Sequence, residues 1–327
     1  MLTAPTPSQN PLAIIADDMR RVDHVIRDRL ASQVVLINQI SEYIISAGGK
    51  RLRPALLLLA AGALDVRTAH RHELAAVIEF IHTATLLHDD VVDESDLRRG
   101  KKTANALFGN AASVLVGDFL YSRAFQMMVG VDNMRIMQIL SNATNVIAEG
   151  EVLQLLNMHD PDVDEIRYLQ VIRYKTAKLF EAATQIAAVL AGTDTATEAA
   201  MAEFGGRLGT AFQLMDDWLD YAGSSDAMGK NAGDDLREGK PTLPLIHVIR
   251  HGTSEQQAMA KAAIEHGGTE NFQAILDAVM HTGALDYTLR RAEQEAAAAA
   301  AAISFLPSSP YKETLLELCS SSTARRS

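Results

Sequence analysis

An all-α, single-domain fold is what this sequence predicts, on three observations. Alanine, leucine and methionine are plentiful while aromatic residues make up only 5%, a mixture that favours helix over strand. Apolar residues recur at helical spacing through most of the chain, which is the primary signal of amphipathic helices. β-branched runs are few, no hairpin dipeptide separates alternating segments, and no proline-rich linker divides the middle. With 48% hydrophobic residues among 327, a sizeable buried core is within reach.

Residues 1–12 carry three prolines and read as a flexible terminus. Helical spacing then runs from about Ile14 to Ile45. The stretch SAGGKRLRP breaks it with two glycines and a proline. Pro54 suits the first turn of the next helix, which continues through ALLLLAAGAL. A third helix is expected from about Arg71 to Asp93, followed by a polar loop from Ser95 to Thr103. Helical patterns resume from Asn105 to Gly130, Met134 to Asn157, Asp164 to Leu190 and Glu198 to Tyr221. The segment AGSSDAMGKNAGDDLREGKPT is a long, Gly-rich, charged interruption, and loops of that length within a domain are usually functional or disordered. Two to four more helices follow, making about ten or more in all. The helical domain is expected over 13–319, with a fraying tail at 320–327.

The formal net charge of −11 argues against nucleic acid as a partner, because no basic patch could neutralise many phosphates. A single cysteine, Cys319, leaves no intramolecular disulfide framework and fits a reducing compartment. The first residues have neither the basic nor the apolar region of a signal peptide. No uncharged apolar run reaches the ~18 residues needed to span a bilayer. A soluble, cytoplasmic protein is expected.

The stretch LLHDDVVDESDLRRG sets four aspartates and a glutamate within eight positions, and FQLMDDWLDY repeats its Asp-Asp-x-x-Asp core. Residues i and i+4 share a helix face, so Asp89 and Asp93 point the same way, with Asp90 about 100° around. Like charges at that spacing are mildly destabilising, and at a helix C-terminus they also oppose the macrodipole. Asp216, Asp217 and Asp220 repeat the penalty. A solvated acidic face is the ordinary alternative, but Leu86, Leu87, Val91, Val92, Trp218 and Leu219 embed both clusters in apolar sequence. Two sites that break the same local rule point to function.

Carboxylates at this spacing, without histidine or cysteine in ligand positions, suit Mg²⁺ rather than zinc. Mg²⁺ takes one or two carboxylates and completes its shell with water and substrate phosphates, so two facing clusters could grip a diphosphate. The basic residues Lys50, Arg51, Arg53, Arg98, Arg99, Lys175, Lys230 and Lys240 are suited to hold phosphate. No P-loop motif is present. Beneath Asp89 on its helix lie Thr85, His82, Ile81, Ile78 and Leu74, a small or aliphatic lining below a charged mouth.

GGKRLRP, LLHDDVVDESDLRRG, KTAKLFEAA, FQLMDDWLDY and GKNAGDDLREGKPTLPL together resemble the bacterial trans-isoprenyl diphosphate synthases, most nearly the octaprenyl-type long-chain enzymes that make quinone side chains. INQISEYIISAGGKRLRP and NAASVLVGDFLYSRAFQMM extend the likeness to nearly the whole chain. The resemblance implies an isoprenoid-synthase-type helical bundle around a deep central cavity, usually a homodimer. It implies Mg²⁺-dependent, head-to-tail condensation of isopentenyl diphosphate onto an allylic diphosphate such as farnesyl diphosphate. By the same likeness Asp89 and Asp93 would hold Mg²⁺ with Asp90 in support, and Asp216 and Asp220 would hold a further ion beside Asp217, three ions in all. Lys50, Arg53, His82 and Arg99 match the isopentenyl diphosphate site. Arg98, Lys175, Thr176, Gln213 and Lys230 match the allylic contacts, and Lys240 adds charge at the mouth. Loss of diphosphate creates an allylic cation that the isopentenyl double bond attacks, and the liberated diphosphate is the expected base.

Product length depends on what blocks the cavity. Ala84 and Thr85, one turn above the first motif, are small, so a short product is not expected. The floor is expected on the neighbouring helix, where Phe125 and Met128 are the bulky candidates, with plain core packing the more ordinary reading of both. Solanesyl and decaprenyl synthases are the near alternatives. A terpene cyclase usually lacks the second Asp-Asp-x-x-Asp, a non-catalytic subunit would have lost acidic residues, and a plain helical carrier needs neither. At most peripheral membrane contact, for product release, is expected.

Overall fold

The structure, a computed structural model, describes residues 11–46, 48–98, 100–222, 233–268 and 271–324. A 3-10 turn at Pro11–Ile15 leads into α1 (Ala16–Leu30), α2 (Val35–Ser46), α3 (Leu52–Ala63) and α4 (His70–Val92). A two-residue antiparallel hairpin follows, β1 (Leu97–Arg98) and β2 (Lys101–Lys102). Next come α5 (Ala104–Phe108), α6 (Asn110–Gly130), α7 (Met134–Asn157) and α8 (Glu165–Ile172). A π turn (Arg173–Ala177) joins α8 to α9 (Lys178–Leu190). The rest is α10 (Thr195–Ala222), the short α11 (Asp234–Arg237), α12 (Leu243–His251), α13 (Ser254–His266), α14 (Phe272–His281), α15 (Ala284–Ala302) and α16 (Pro310–Thr323). Among the described residues no helix is long and apolar enough to cross a membrane.

α3 is the innermost element. Its residues from Pro54 to Ala61, and Ala63, are all buried, as expected of a helix that is apolar all round. It packs on α4, α9 and α16. α4 lies along α6, and α10 lies along both α9 and α15. Phe80, Phe180 and Phe204 fill the space between these helices and are essentially inaccessible to solvent. A second cluster around Tyr221, Leu245, Val248 and Ile275 closes the C-terminal helices against the end of α10.

Five local features depart from the sequence expectation. The run from Ile14 to Ile45 is two helices, because Ser32 and Asn38 divert the backbone. Ser32 N donates to Asn38 Oδ1 at 3.0 Å and Asn38 Nδ2 donates to Ser32 O at 2.8 Å; such side chains compete with helical hydrogen bonding. Gly109, at φ 87°, separates α5 from α6. The hairpin exists where no strand was expected, turned by Gly100 at φ 72°. The segment from Asp164 to Leu190 is interrupted by the π turn, a feature often found at functional sites. At the C-terminus α16 continues to Thr323, past residue 320, with Ser322 buried.

Close backbone approach holds the π turn in place. A Cβ added at Gly150 of α7 would lie 2.7 Å from Lys175 N and 2.8 Å from Tyr174 Cβ. One added at Gly209 of α10 would lie 2.7 Å from Ala177 Cα. The turn is therefore gripped from two sides by helices that glycine allows to come near. Gly150→Ala is expected to destabilise the protein by about 1–3 kcal/mol, the usual cost of overpacking, measured by urea unfolding. An unchanged denaturation midpoint would show that the turn is not held this way.

Candidate active site

One cavity of about 1010 Å³ runs between α4, α7, α8, the π turn, α9 and α10. On α4 its lining extends from Glu79 to Asp93, about 21 Å at 1.5 Å per residue. Asp89, Asp93, Asp216, Asp217 and Asp220 line it together, so the ends of α4 and α10 share one space. Phe80, Leu86, Leu120, Ile147, Leu179 and Phe212 make its apolar wall, with residues of α1 and α2 closing one side.

The like-charged end of α4 is compensated by cations from elsewhere in the chain. Lys175 Nζ lies 3.4 Å from Asp89 Oδ2 and 2.5 Å from Glu151 Oε2. Lys240 Nζ lies 3.4 Å from Asp93 Oδ2 and also pairs with Glu238. Burial works against both ammonium groups, but Asp89 and Glu151 hold Lys175 above its ordinary range. Asp235, Asp93 and Glu238 do the same for Lys240. Asp90 turns away from the cavity and is buried; Arg98 donates to its Oδ1 from Nε at 2.8 Å and pairs through Nη2 at 2.7 Å. Burial pushes the Asp90 carboxyl up and Arg98 opposes that shift. Asp90 thus anchors Arg98, which lines the cavity.

At the end of α10, Asp216 is exposed while Asp217 is buried. Tyr168 Oη donates to Asp217 Oδ2 at 2.6 Å and Gln213 Nε2 to its Oδ1 at 2.8 Å. Thr176 Oγ1 donates to Gln213 Oε1 at 3.0 Å, so α8, the π turn and α10 are joined in one polar chain. Burial, then the nearby Asp235, raises Asp217 well above the carboxylate range. Asp220 Oδ1 accepts from Asp234 N at 3.2 Å, and its Oδ2 is buried with no hydrogen-bond partner among the described residues. Burial raises this carboxyl to about 7, with Asp235 adding to the shift.

Lys50, Arg53 and His82 line the same cavity, with Arg53 Nη1 3.1 Å from His82 Nε2 and its guanidinium 4.8 Å from the centre of the Phe180 ring. Arg99 and Lys230 lie outside the described residues. Thr85 lines the cavity, its hydroxyl donating to His82 O at 2.7 Å, whereas Ala84 is fully buried behind it. Phe125 and Met128, the candidates for the floor, do not line it and follow the core-packing alternative: Met128 is in the core and Phe125 packs against it. Leu120 presents the lining face of α6, and at 100° per residue Phe125 falls about 140° away from it.

Sequence reasoning passed over Glu151, Tyr168, Asp234, Asp235 and Glu238, all of which line the cavity. Glu151, Gln154 and Asn157 mark one polar stripe at i, i+3 and i+6 on an otherwise apolar helix end, a signal that was available. Among the described residues no three Asp, Glu, His or Cys side chains are grouped so as to hold a metal ion by themselves. An ion bound through one or two carboxylates and substrate phosphates needs no such group.

A sequence model described as polyprenyl synthetase matches residues 34–280. Octaprenyl diphosphate synthase of Escherichia coli (strain K12) is 54% identical over 306 residues, 93% of this chain and 95% of that protein. The all-trans-nonaprenyl-diphosphate synthase (geranyl-diphosphate specific) of Rhodobacter capsulatus is 48% identical over 95% of each chain. The crystal structure of polyprenyl synthase from Caulobacter crescentus, complexed with calcium and isoprenyl diphosphate, superposes with a TM-score of 0.93. It is 45% identical and covers 99% of this chain and 100% of that one.

The raised Asp220 carboxyl has a stability consequence. Its ordinary value is 3.8 and its folded value about 7, so the folded chain holds this proton more tightly than the unfolded chain does. The resulting stability is complete below pH ~4, is lost as pH rises to ~7, and does not change further above that. In chelator, Asp220→Asn is expected to gain stability relative to wild type across that window, by up to about 4 kcal/mol at its upper end. Parallel pH–stability curves from thermal melts would contradict this.

Proposed function

The chain belongs to the polyprenyl synthetase family of prenyltransferases, which elongate trans-prenyl chains, and we propose that its product is octaprenyl diphosphate. It would add isopentenyl diphosphate, head to tail, to an allylic diphosphate such as farnesyl diphosphate, and so supply a quinone side chain. The observation that carries this reading is the meeting of two acidic helix ends and several cations at one cavity with an apolar wall. The 54% identical relative is named for that product, and the Caulobacter protein is complexed with calcium and isoprenyl diphosphate.

The donor set suits a hard divalent cation: every candidate ligand is a carboxylate oxygen, and Asp220 Oδ2 is buried without a hydrogen-bond partner among the described residues. Asp89, Asp93, Asp216 and Asp220 would hold Mg²⁺, three ions per site. Mg²⁺ supplies charge neutralisation that makes diphosphate a better leaving group. Lys175, Lys240 and Arg98 draw the allylic diphosphate to the mouth and share its charge, while Thr176 and Gln213 offer it polar contacts. Lys50, Arg53 and His82 hold isopentenyl diphosphate beside it. As the allylic C–O bond breaks, the isopentenyl double bond supplies the electron pair for the new C–C bond, and the proton released leaves with diphosphate. The apolar wall keeps water from the cation. Thr85, small and at the cavity surface, leaves room for the chain to lengthen past the first motif.

A homodimer belongs to the same reading. Val152, Leu155 and Leu156 stand exposed at i, i+3 and i+4 on α7, with Leu115 and Val129 exposed on α6. An apolar surface of this kind marks an interaction site, and a second copy is the occupant expected in this family. Any membrane contact would be peripheral and serve release of the apolar product.

The test is an incubation with farnesyl diphosphate, radiolabelled isopentenyl diphosphate and Mg²⁺, followed by chromatography of the extracted lipid. Octaprenyl product is expected, abolished by chelator, and Asp89→Asn should lower kcat/KM at least ~10²-fold. A cyclic hydrocarbon or no turnover would refute the assignment, and a longer chain would correct its length. Leu156→Glu is expected to yield monomers by light scattering; an unchanged mass would exclude α7 from the interface.

A further inference from the structure

Lys175 and Lys240 are each held between two carboxylates of different origin. Lys175 reaches Asp89 at 3.4 Å and Glu151 at 2.5 Å. Lys240 reaches Asp93 at 3.4 Å and also pairs with Glu238. The aspartates belong to the first acidic motif. The glutamates belong to neither motif and come from separate elements, α7 and the residue that ends α11. All six side chains line one cavity, and none is more than 29% exposed. Ion pairs so sheltered are screened far less than surface pairs.

The two carboxylates on each lysine have different prospects once substrate arrives. On the reading of Asp89 and Asp93 as holders of the cations that carry diphosphate, both aspartates are then engaged elsewhere. An ammonium has three donors on a flexible four-carbon stem. Without a second partner it would regain its freedom at the moment it is needed. The supports of the glutamates are firm. Gly150, beside Glu151, lets α7 approach the Lys175 backbone closely. Lys240 N donates to Asp235 O at 2.9 Å, which sets the turn carrying Glu238.

We propose that Glu151 and Glu238 are positioning residues for the allylic diphosphate: each keeps its lysine at the cavity mouth, with donors free for phosphate, after Asp89 and Asp93 have turned to the bound cation. The opposite effect is also physically available, since a glutamate could compete with diphosphate for the ammonium. The two differ in the sign of their effect on affinity.

Steady-state kinetics of the full chain with Mg²⁺ separates them, using the isosteric variants Glu151→Gln and Glu238→Gln. Each should raise KM for the allylic diphosphate, and Ki for inorganic diphosphate, by about tenfold. The value of kcat, KM for isopentenyl diphosphate and the thermal midpoint should stay near wild type. In a Lys175→Ala background Glu151→Gln should add no further loss, and likewise Glu238→Gln in Lys240→Ala, because each glutamate acts only through its lysine. A lower or unchanged KM, or a loss that persists without the lysine, would overturn the proposal. If Glu151→Gln fails to fold, the Glu238 arm decides alone. If wild type itself fails to elongate, the assignment of function fails instead.

Discussion

Carboxylates crowded at the C-terminal ends of two helices, in a partly buried cavity, are the constraint on which this structure turns. Each helix end carries a negative macrodipole pole, and burial raises the cost of every charge placed there. The chain does not avoid that cost; it surrounds it. Lys175 and Lys240 reach the first cluster, Arg98 reaches Asp90, and Tyr168 and Gln213 donate to Asp217. Asp217 and Asp220 remain strained toward their protonated forms by burial, which makes the site a receptor for positive charge. On the proposed function, a cation arriving with diphosphate would relieve a repulsion already present in the fold.

The backbone arrangement serves the same end. Lys175 and Thr176 sit on a π turn, where one extra residue rotates both side chains relative to a regular helix. Gly150 and Gly209 allow α7 and α10 to close on that turn. Below it, α3, α4 and α9 pack an apolar core with phenylalanine at its centre. The cavity wall is therefore a rigid helical surface, suited to excluding water from a reactive cation. The lining of α4 below Asp89 is mixed, with Thr85, His82 and Glu79 beside Leu86 and Phe80, while Leu74, Ile78 and Ile81 turn into the core. The apolar wall is completed by Leu120, Ile147, Leu179 and Phe212 from other helices.

Helix existence was legible because period is a property of the sequence alone. The span expected from Met134 to Asn157 coincides with α7. Boundaries failed where a single local interaction intervenes, as at Ser32 with Asn38 or at Gly109. The acidic motifs, Lys50, Arg53, His82, Lys175 and Lys240 were legible because their spacing violates helix electrostatics or matches a known pattern. Glu151 was passed over, since its polar stripe with Gln154 and Asn157, on a helix that also carries Glu149, does not say which partner it meets. Phe125 and Met128 took the core-packing reading rather than that of a cavity floor, a choice open in the sequence because rotation about α6 depends on what that helix packs against.

By itself the sequence determined the helical architecture, the two acid-rich helix ends and the residue types able to bind diphosphate, all of which depend on neighbours within a few turns. Only the tertiary structure decided that Asp89 and Asp220 share a cavity, that Asp90 serves Arg98 rather than the cavity, and that two glutamates hold the lysines. Those outcomes depend on distances in space. Asp89 and Asp220 stand 131 positions apart in sequence and Lys240 meets Asp93 across 147. Even pairs nearer in sequence, such as Glu151 with Lys175, meet only because separate helices bring them to one cavity. Such distances are set by the packing of whole helices, which local spacing does not encode.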